Sequence, residues 1–268
     1  MTEIKNPLDV YKLLPKTNCR ECSVPTCMAF SAAVIKGDKQ LSDCPHITSN
    51  ISESFTHKIE TQQTMDQNRE KIVEELKNRM SSIDILSSTQ RLVATIVDSK
   101  LAVKSLGKDF FVDAKGNITS ECHIQPWVTI PLLDYILNCK EGNISGEWVP
   151  FREFKKGAER APLFGQLCEK PLKQLADTNT DLFNDLIYIF SGNRTTNLFS
   201  SDISLILYPL PKIPILICYW EPEDDIESSL NIFFDSTADK HLGIESIFAL
   251  GVGLAAMFEK VILKHKQN

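Results

Sequence analysis

Four cysteines constrain this chain more than any other feature. Cys19, Cys22 and Cys27 are crowded into "NCRECSVPTC", and Cys44 follows in "DCP", giving the pattern C-x2-C-x4-C-x16-C with proline behind it. A tight loop carrying three thiols, closed by one remote thiol, is a way to present four sulfurs to an iron–sulfur cubane. Structural zinc is the competing reading. It favours two short two-residue knuckles or histidine pairs, and here His46 stands close behind Cys44. The three-plus-one spacing points to a [4Fe-4S] cluster and leaves zinc as the alternative. Disulfides fit less well, because they belong to small secreted chains and this one has 268 residues.

The residues around the cysteines suggest how so short a segment takes shape. "KNPLDVYKLLP" reads as a short helix over 5–15, capped by Asn6, started by Pro7 and stopped by Pro15, with Leu8, Tyr11 and Leu14 on one face. "PTCMAFSAAVIKG" reads as a second helix that buries Phe30, Ala33 and Val34 and ends at Gly37. Cys27 then falls at a helix N-terminus, which favours a thiolate. So few apolar residues cannot hold such a unit alone, and a metal centre is expected to staple it.

Downstream, residues 47–80 are polar and read as a helical linker. Residues 81–268 read as an α+β domain with helices packed on an antiparallel sheet. A hairpin is expected around "DAKGN", and helices in "TIPLLDYILNCKEG", "PLFGQLCEKPLKQLAD" and "DLFNDLIYIF". Three strands follow in "DISLILYPLP", "PILICYWEPED" and "SLNIFFDST", with Pro209, Pro211 and Pro214 bounding the ends of the first two. The long helix "IESIFALGVGLAAMFEKVILK" closes the chain, its glycines read as packing glycines. The expected division is 1–46 cluster domain, 47–80 linker and 81–268 α+β domain.

Composition excludes some functions. A net charge of −6 argues against nonspecific nucleic-acid binding and against an anionic membrane surface. No apolar run is long enough for a membrane span, and "MTEIKNPLDVYKLLPK" has no apolar signal core, so a cytoplasmic protein is expected. No phosphate loop, dinucleotide glycine fingerprint, Ser/His/Asp signature or HExxH motif appears. Cys139, Cys168 and Cys218 read as small buried hydrophobes, and His241 as a loop histidine. Adjacent Cys122 and His123 point opposite ways in an extended segment. Trp127, Trp148 and Trp220 read as core. "EPEDDIE" reads as a solvated hairpin tip. Asp235 and Glu245 are a possible acid–base pair, though a helix N-terminus alone accounts for Glu245.

Two resemblances extend this reading. "NPLDVYKLLPKTNCRECSVPTCMAFSAAVIKGDKQLSDCP" resembles the small [4Fe-4S] domain of the large subunit of corrinoid iron–sulfur proteins, of the acetyl-CoA decarbonylase/synthase pathway. A shorter form occurs in the membrane ferredoxin–NAD oxidoreductase complex. The resemblance implies Cys19, Cys22, Cys27 and Cys44 as cluster ligands. That family usually carries glycine after the first two cysteines, where this chain has Arg20 and Ser23. "GEWVPFREFKKG", "LYPLPKIPILICYWEPED" and "IFFDSTADKHLGIESIFALG" are similar to the family called domain of unknown function 3786, over roughly residues 82–264. This half does not resemble a corrinoid-binding barrel. Together these imply a low-potential, one-electron transfer protein of anaerobic metabolism. Its partner would be a ferredoxin-like donor or a metallocofactor protein, a corrinoid protein among them. The alternative is an iron–sulfur sensor module with a ligand- or protein-binding C-terminal domain, and a redox enzyme finds no catalytic constellation to support it.

Overall fold

The structure, a computed structural model, describes residues 6–48, 65–85, 87–180, 189–195 and 198–265. The chain divides into two compact units, Met1–Ile72 and Val73–Asn268.

In the first unit, α1 (Pro7–Leu13) begins where the Asn6 side chain accepts from the Asp9 N–H, with Pro7 as its first residue. α2 (Cys27–Lys36) is capped by Thr26, which accepts from the Ala29 N–H, and ends at Gly37 with φ 86°. A 3-10 turn, Leu41–Asp43, leads into Cys44. The core is small: Val10, Leu14, Phe30, Val34, Ile35 and Leu41, completed by Cys27 and Cys44. Val10 and Leu14, rather than Leu8, form the buried face of α1, and Leu8 is 58% exposed.

In the second unit, described residues of α3 (Met65–Met80) bring Leu76 and Met80 into the larger core. After the single turn α4 (Thr89–Leu92) comes an antiparallel meander. It consists of β1 (Thr95–Val97), β2 (Lys100–Ser105), β3 (Lys108–Val112) and β4 (Ile118–Thr119). The "DAKGN" hairpin is the β3–β4 turn, closed by Asp113 accepting from the Lys115 and Asn117 N–H groups.

The second sheet has the order β5-β9-β8-β7-β6 and is antiparallel throughout. Its strands are β5 (Trp148–Pro150), β6 (Asn193–Arg194), β7 (Ile203–Leu210), β8 (Ile213–Trp220) and β9 (Ser229–Asp235). β8 is buried along nearly its whole length, as a central strand with an unbroken apolar run should be. Pro209 is the next-to-last residue of β7 and Pro214 the second of β8, with Pro211 in the turn between them, so the prolines mark the facing ends of the two strands. The β7–β8 register shifts between Leu207 and Leu210, and such an irregularity tolerates residues without an N–H. The Tyr208 carbonyl there accepts from the Leu106 N–H instead, joining the two sheets.

Helices α5 (Pro126–Asn138), α6 (Gly157–Phe164), α7 (Lys170–Thr178) and α9 (Ile244–His265) cover the second sheet, with the short α8 (Ala238–His241) leading into α9. α5 starts at Pro126, three residues before the expected start, because proline suits a first helical position. α6 and α7 join through a π-helical turn, Gly165–Glu169, so "PLFGQLCEKPLKQLAD" bends without breaking. That turn presents Glu169, whose carboxylate accepts from the Ile232 N–H of β9 just beyond the end of the β5 pairing. Gly251 and Gly253 of α9 face Phe164 and Trp127, where a methyl group would collide with each ring. The fold class is α+β, as the sequence implies. The expected helix "DLFNDLIYIF" and the connector over 49–64 lie largely or wholly outside the described residues.

Candidate metal centre

The cysteine loop is built from backbone that side chains normally avoid. Lys16, Asn18, Arg20 and Ser23 all have positive φ, from 52° to 67°. Arg20 and Ser23 are the two positions where glycine was the expected residue. The left-handed turn is therefore kept and the Cβ strain accepted. Such turns direct successive N–H groups into a concavity suited to anionic sulfur.

The sulfurs are graded in exposure. Cys19 is exposed, Cys22 half-buried, and Cys27 and Cys44 buried at 8% and 6% exposure. Cys27 opens α2, and its N–H donates to the Asn18 Oδ1 at 2.8 Å. The Asn18 N–H donates in return to the Cys27 Sγ at 3.4 Å. Burial pushes the Cys44 thiol up. The His46 N–H opposes that rise, and the nearby sulfurs of Cys22, Cys27 and Cys19 add to it. The other three sulfurs thus lie within electrostatic reach of Cys44. A metal bound there would displace their protons, because a coordinating thiol is deprotonated outright. The donor set fits a four-thiolate group.

A second donor set overlaps the first. Cys19, Glu21 and His46 bring their ligand atoms within 4.8 Å of one another, and His46 Nε2 lies 3.1 Å from Glu21 Oε2. All three are exposed, and only one of the four sulfurs takes part.

Residues 14–46 match the family profile described as "Putative Fe-S cluster". Curated relatives match the same region. The acetyl-CoA decarbonylase/synthase complex subunit gamma 1 of Methanosarcina thermophila is 54% identical over 43 residues, 16% of this chain and 9% of that protein. The corrinoid/iron-sulfur protein large subunit of Moorella thermoacetica is 43% identical over 48 residues, 18% of this chain and 11% of that protein. The complex subunit gamma of Methanocaldococcus jannaschii is 40% identical over 52 residues, 19% of this chain and 11% of that protein. The chain thus spans about a tenth of the length of the curated relatives it matches. The N-terminal region is an iron–sulfur cluster region. No solved structure matches the chain significantly. Residues 84–257 match the profile of the domain of unknown function DUF3786. The chain belongs to the DUF3786 family.

Within the DUF3786 region, the acid–base pair considered from sequence does not assemble. Asp235 is buried and fully engaged: Oδ1 accepts from the N–H and hydroxyl of both Ser145 and Thr237, and Oδ2 from the Gly146 N–H. Glu245 pairs instead with Arg160 at 2.5 Å. Asp235 is thus a structural clamp that ties the 145–147 loop to the end of β9. Residues 221–227 are exposed, and Glu223 and Ile226 bridge across the tip, as a solvated hairpin requires. Asp177, close by, accepts from Tyr219, Ser228 and Lys173. Burial, then that carboxylate, push the Tyr219 hydroxyl up to about 12.

A polar cluster at the C-terminal end of α5 was not legible as such. His241 is buried, not in a loop, and its Nδ1 lies 3.6 Å from the Cys139 Sγ. Arg91 donates to the Ile136 and Cys139 carbonyls, and Lys212 Nζ donates to the Lys140 carbonyl at 3.1 Å. The residues are scattered over 91–241 in sequence, so spacing could not reveal them. Cys122 is half-buried and His123 exposed, and neither joins a metal-ligating group among the described residues. Trp127 packs on the core, while Trp148 and Trp220 are half-buried on strands of the second sheet.

Proposed function

We propose that this DUF3786 protein is a low-potential electron carrier. Cys19, Cys22, Cys27 and Cys44 hold a single [4Fe-4S] cluster, and the second unit serves or binds the redox partner. The observation that carries this reading is the arrangement of four sulfurs about the start of α2 and the turn into Cys44, with two of them buried in the unit's own core. A cluster of this type supplies reversible one-electron chemistry. The chain's own contribution is to fix the sulfurs, donate N–H groups toward them and leave the Cys19 corner open to solvent. That corner is where a partner approaches.

The likeness to corrinoid-pathway subunits supports a donor of the ferredoxin kind and an acceptor that is a metallocofactor protein, a corrinoid centre among them. The division kept in this reading is a cluster domain over 1–46, a linker over 47–80 and the α+β domain over 81–268, with Leu76 and Met80 of the linker already packed in the core of the second unit. None of the eight cysteines is paired in a disulfide, which suits a reducing cytoplasm. Among the described residues no helix is long and apolar enough to cross a membrane.

The reading is tested by purifying the chain without oxygen and recording absorption and EPR spectra during a potentiometric titration with dithionite. A reversible one-electron couple with a reduced-state EPR signal is the expected result. A cluster that cannot be reduced, or that falls apart on reduction, contradicts electron transfer and favours a structural or sensing role.

A further inference from the structure

Among the described residues, Lys212 is a buried cation without a carboxylate partner. It is 5% exposed, it sits in the turn between β7 and β8, and its ammonium donates to the Lys140 carbonyl, its one acceptor among the described residues. No carboxylate pairs with it among the described residues. A carbonyl offers only a partial charge, whereas an ammonium withdrawn from water needs a full one. Asp235 takes its five hydrogen bonds from Ser145, Gly146 and Thr237 and none from Lys212.

Lys212 lines a cleft of about 340 Å³ together with Ser87, Gln90, Arg91, Glu141 and Asn143. Its wall comprises α4, the loop after α5 and the β7–β8 turn, all within the DUF3786 unit. Capping the end of α5 accounts for the Arg91 hydrogen bonds, because a guanidinium there satisfies the last carbonyls and the negative end of the helix dipole. It does not account for a second full positive charge beside the first. Ser87, Gln90 and Asn143 are exposed at the rim and can donate hydrogen bonds into the cleft. Gly142 stands there at φ 111° with open space around it, so the backbone too is approachable. Glu141, the one acid in the wall, is exposed and forms no ion pair with either cation among the described residues.

We propose that this cleft binds a small oxyanion, a carboxylate or phosphate group, which supplies the counter-charge that Lys212 lacks. The volume suits a small metabolite and not a polymer. The proposal goes beyond electron transfer and does not rest on it, since every residue involved lies in the second unit.

The test uses the full chain as purified without oxygen. Binding of inorganic phosphate and of acetate is measured by titration calorimetry and thermal unfolding, each against chloride at equal ionic strength. At least one oxyanion is expected to bind saturably and raise the unfolding temperature, and which of the two does so identifies the group. K212M keeps the length of the side chain and removes its charge. It is expected to weaken that binding by roughly tenfold or more, as loss of a charged hydrogen bond does. Should K212M not fold, Asn143→Asp places a negative charge at the exposed rim and is expected to weaken binding several-fold. Absorption of the iron–sulfur region, read in the same samples, is expected to stay unchanged, which separates this site from the metal centre. Equal, unsaturable effects of phosphate, acetate and chloride overturn the proposal. So does unaltered oxyanion binding in the variants.

Discussion

Asn18 and Cys27 hold each other across the cysteine loop: the Cys27 N–H donates to Asn18 Oδ1 at 2.8 Å, and the Asn18 N–H donates to Cys27 Sγ at 3.4 Å. The side chain of Asn18 therefore does what a capping residue does at other helix starts, and fixes the sulfur that opens α2. Asn18→Ala leaves the Cys27 N–H without its partner, at a cost of about 1 kcal/mol. Iron release to a chelator is expected to run several-fold faster in Asn18→Ala, with Asn18→Asp, which keeps the acceptor, close to the parent. Equal release rates in all three proteins refute this role.

Arg20 and Ser23 sit at φ 67° and 60°. A left-handed L-residue costs about 1–2 kcal/mol, and glycine removes most of that while losing part of the gain to unfolded-state entropy. Arg20→Gly and Ser23→Gly are each expected to stabilise the first unit by about 0.5 kcal/mol. Thermal unfolding followed by the cluster's visible absorption measures it, and a lowered midpoint contradicts the strain argument.

These two residues show what the sequence could and could not convey. The strain was readable, because a side chain stood where a known loop prefers glycine. The β3–β4 hairpin was readable because "DAKGN" carries turn residues. The β1–β2 hairpin was missed because Asp98 and Ser99 make its turn at φ 48° and 60° with no glycine to announce it. The prolines were readable as markers of the facing strand ends, because a residue without an N–H is tolerated where the ladder turns irregular, as it does there. The four candidate ligands lie in one short segment, so spacing displayed them. Lys212, Arg91 and the cleft they line come together only through tertiary packing, and spacing carries no trace of that.

Gly253 meets the Trp127 indole so closely that a Cβ has no room. Gly253→Ala forces the ring or α9 to move, and overpacking of this kind costs about 1–3 kcal/mol. A lower urea midpoint and a shifted tryptophan emission are the expected signs. Stability at or above that of the parent shows that the contact is slack.

Acid is expected to weaken the second unit in two stages. Burial, and then the Lys212 charge, hold His241 below its ordinary range, so the fold keeps it neutral. The unfolded chain takes up that proton first, near pH 6.5, so this stability is present above about pH 6.5 and is lost as pH falls toward the folded value. Burial pushes Asp235 up, but hydrogen bonds from Thr237, Ser145 and Gly146 outweigh it and leave the carboxyl below its ordinary value. Its contribution persists above about pH 4 and disappears as pH falls through the folded value. Urea midpoints from pH 8 to 3 are expected to fall in both ranges. His241→Gln should flatten the upper stage, and Asp235→Asn should lower stability at pH 7 by about 2 kcal/mol. An unchanged upper stage in His241→Gln assigns that titration elsewhere.

The central claim is that Cys19, Cys22, Cys27 and Cys44 hold an iron–sulfur cubane that gives the N-terminal unit its shape. Iron and acid-labile sulfide, measured per chain in oxygen-free protein, test it most directly. About four of each is expected for a cubane, with a marked loss in each single Cys→Ser variant of the four and none in Cys122→Ser. Protein that contains zinc and neither iron nor sulfide contradicts it.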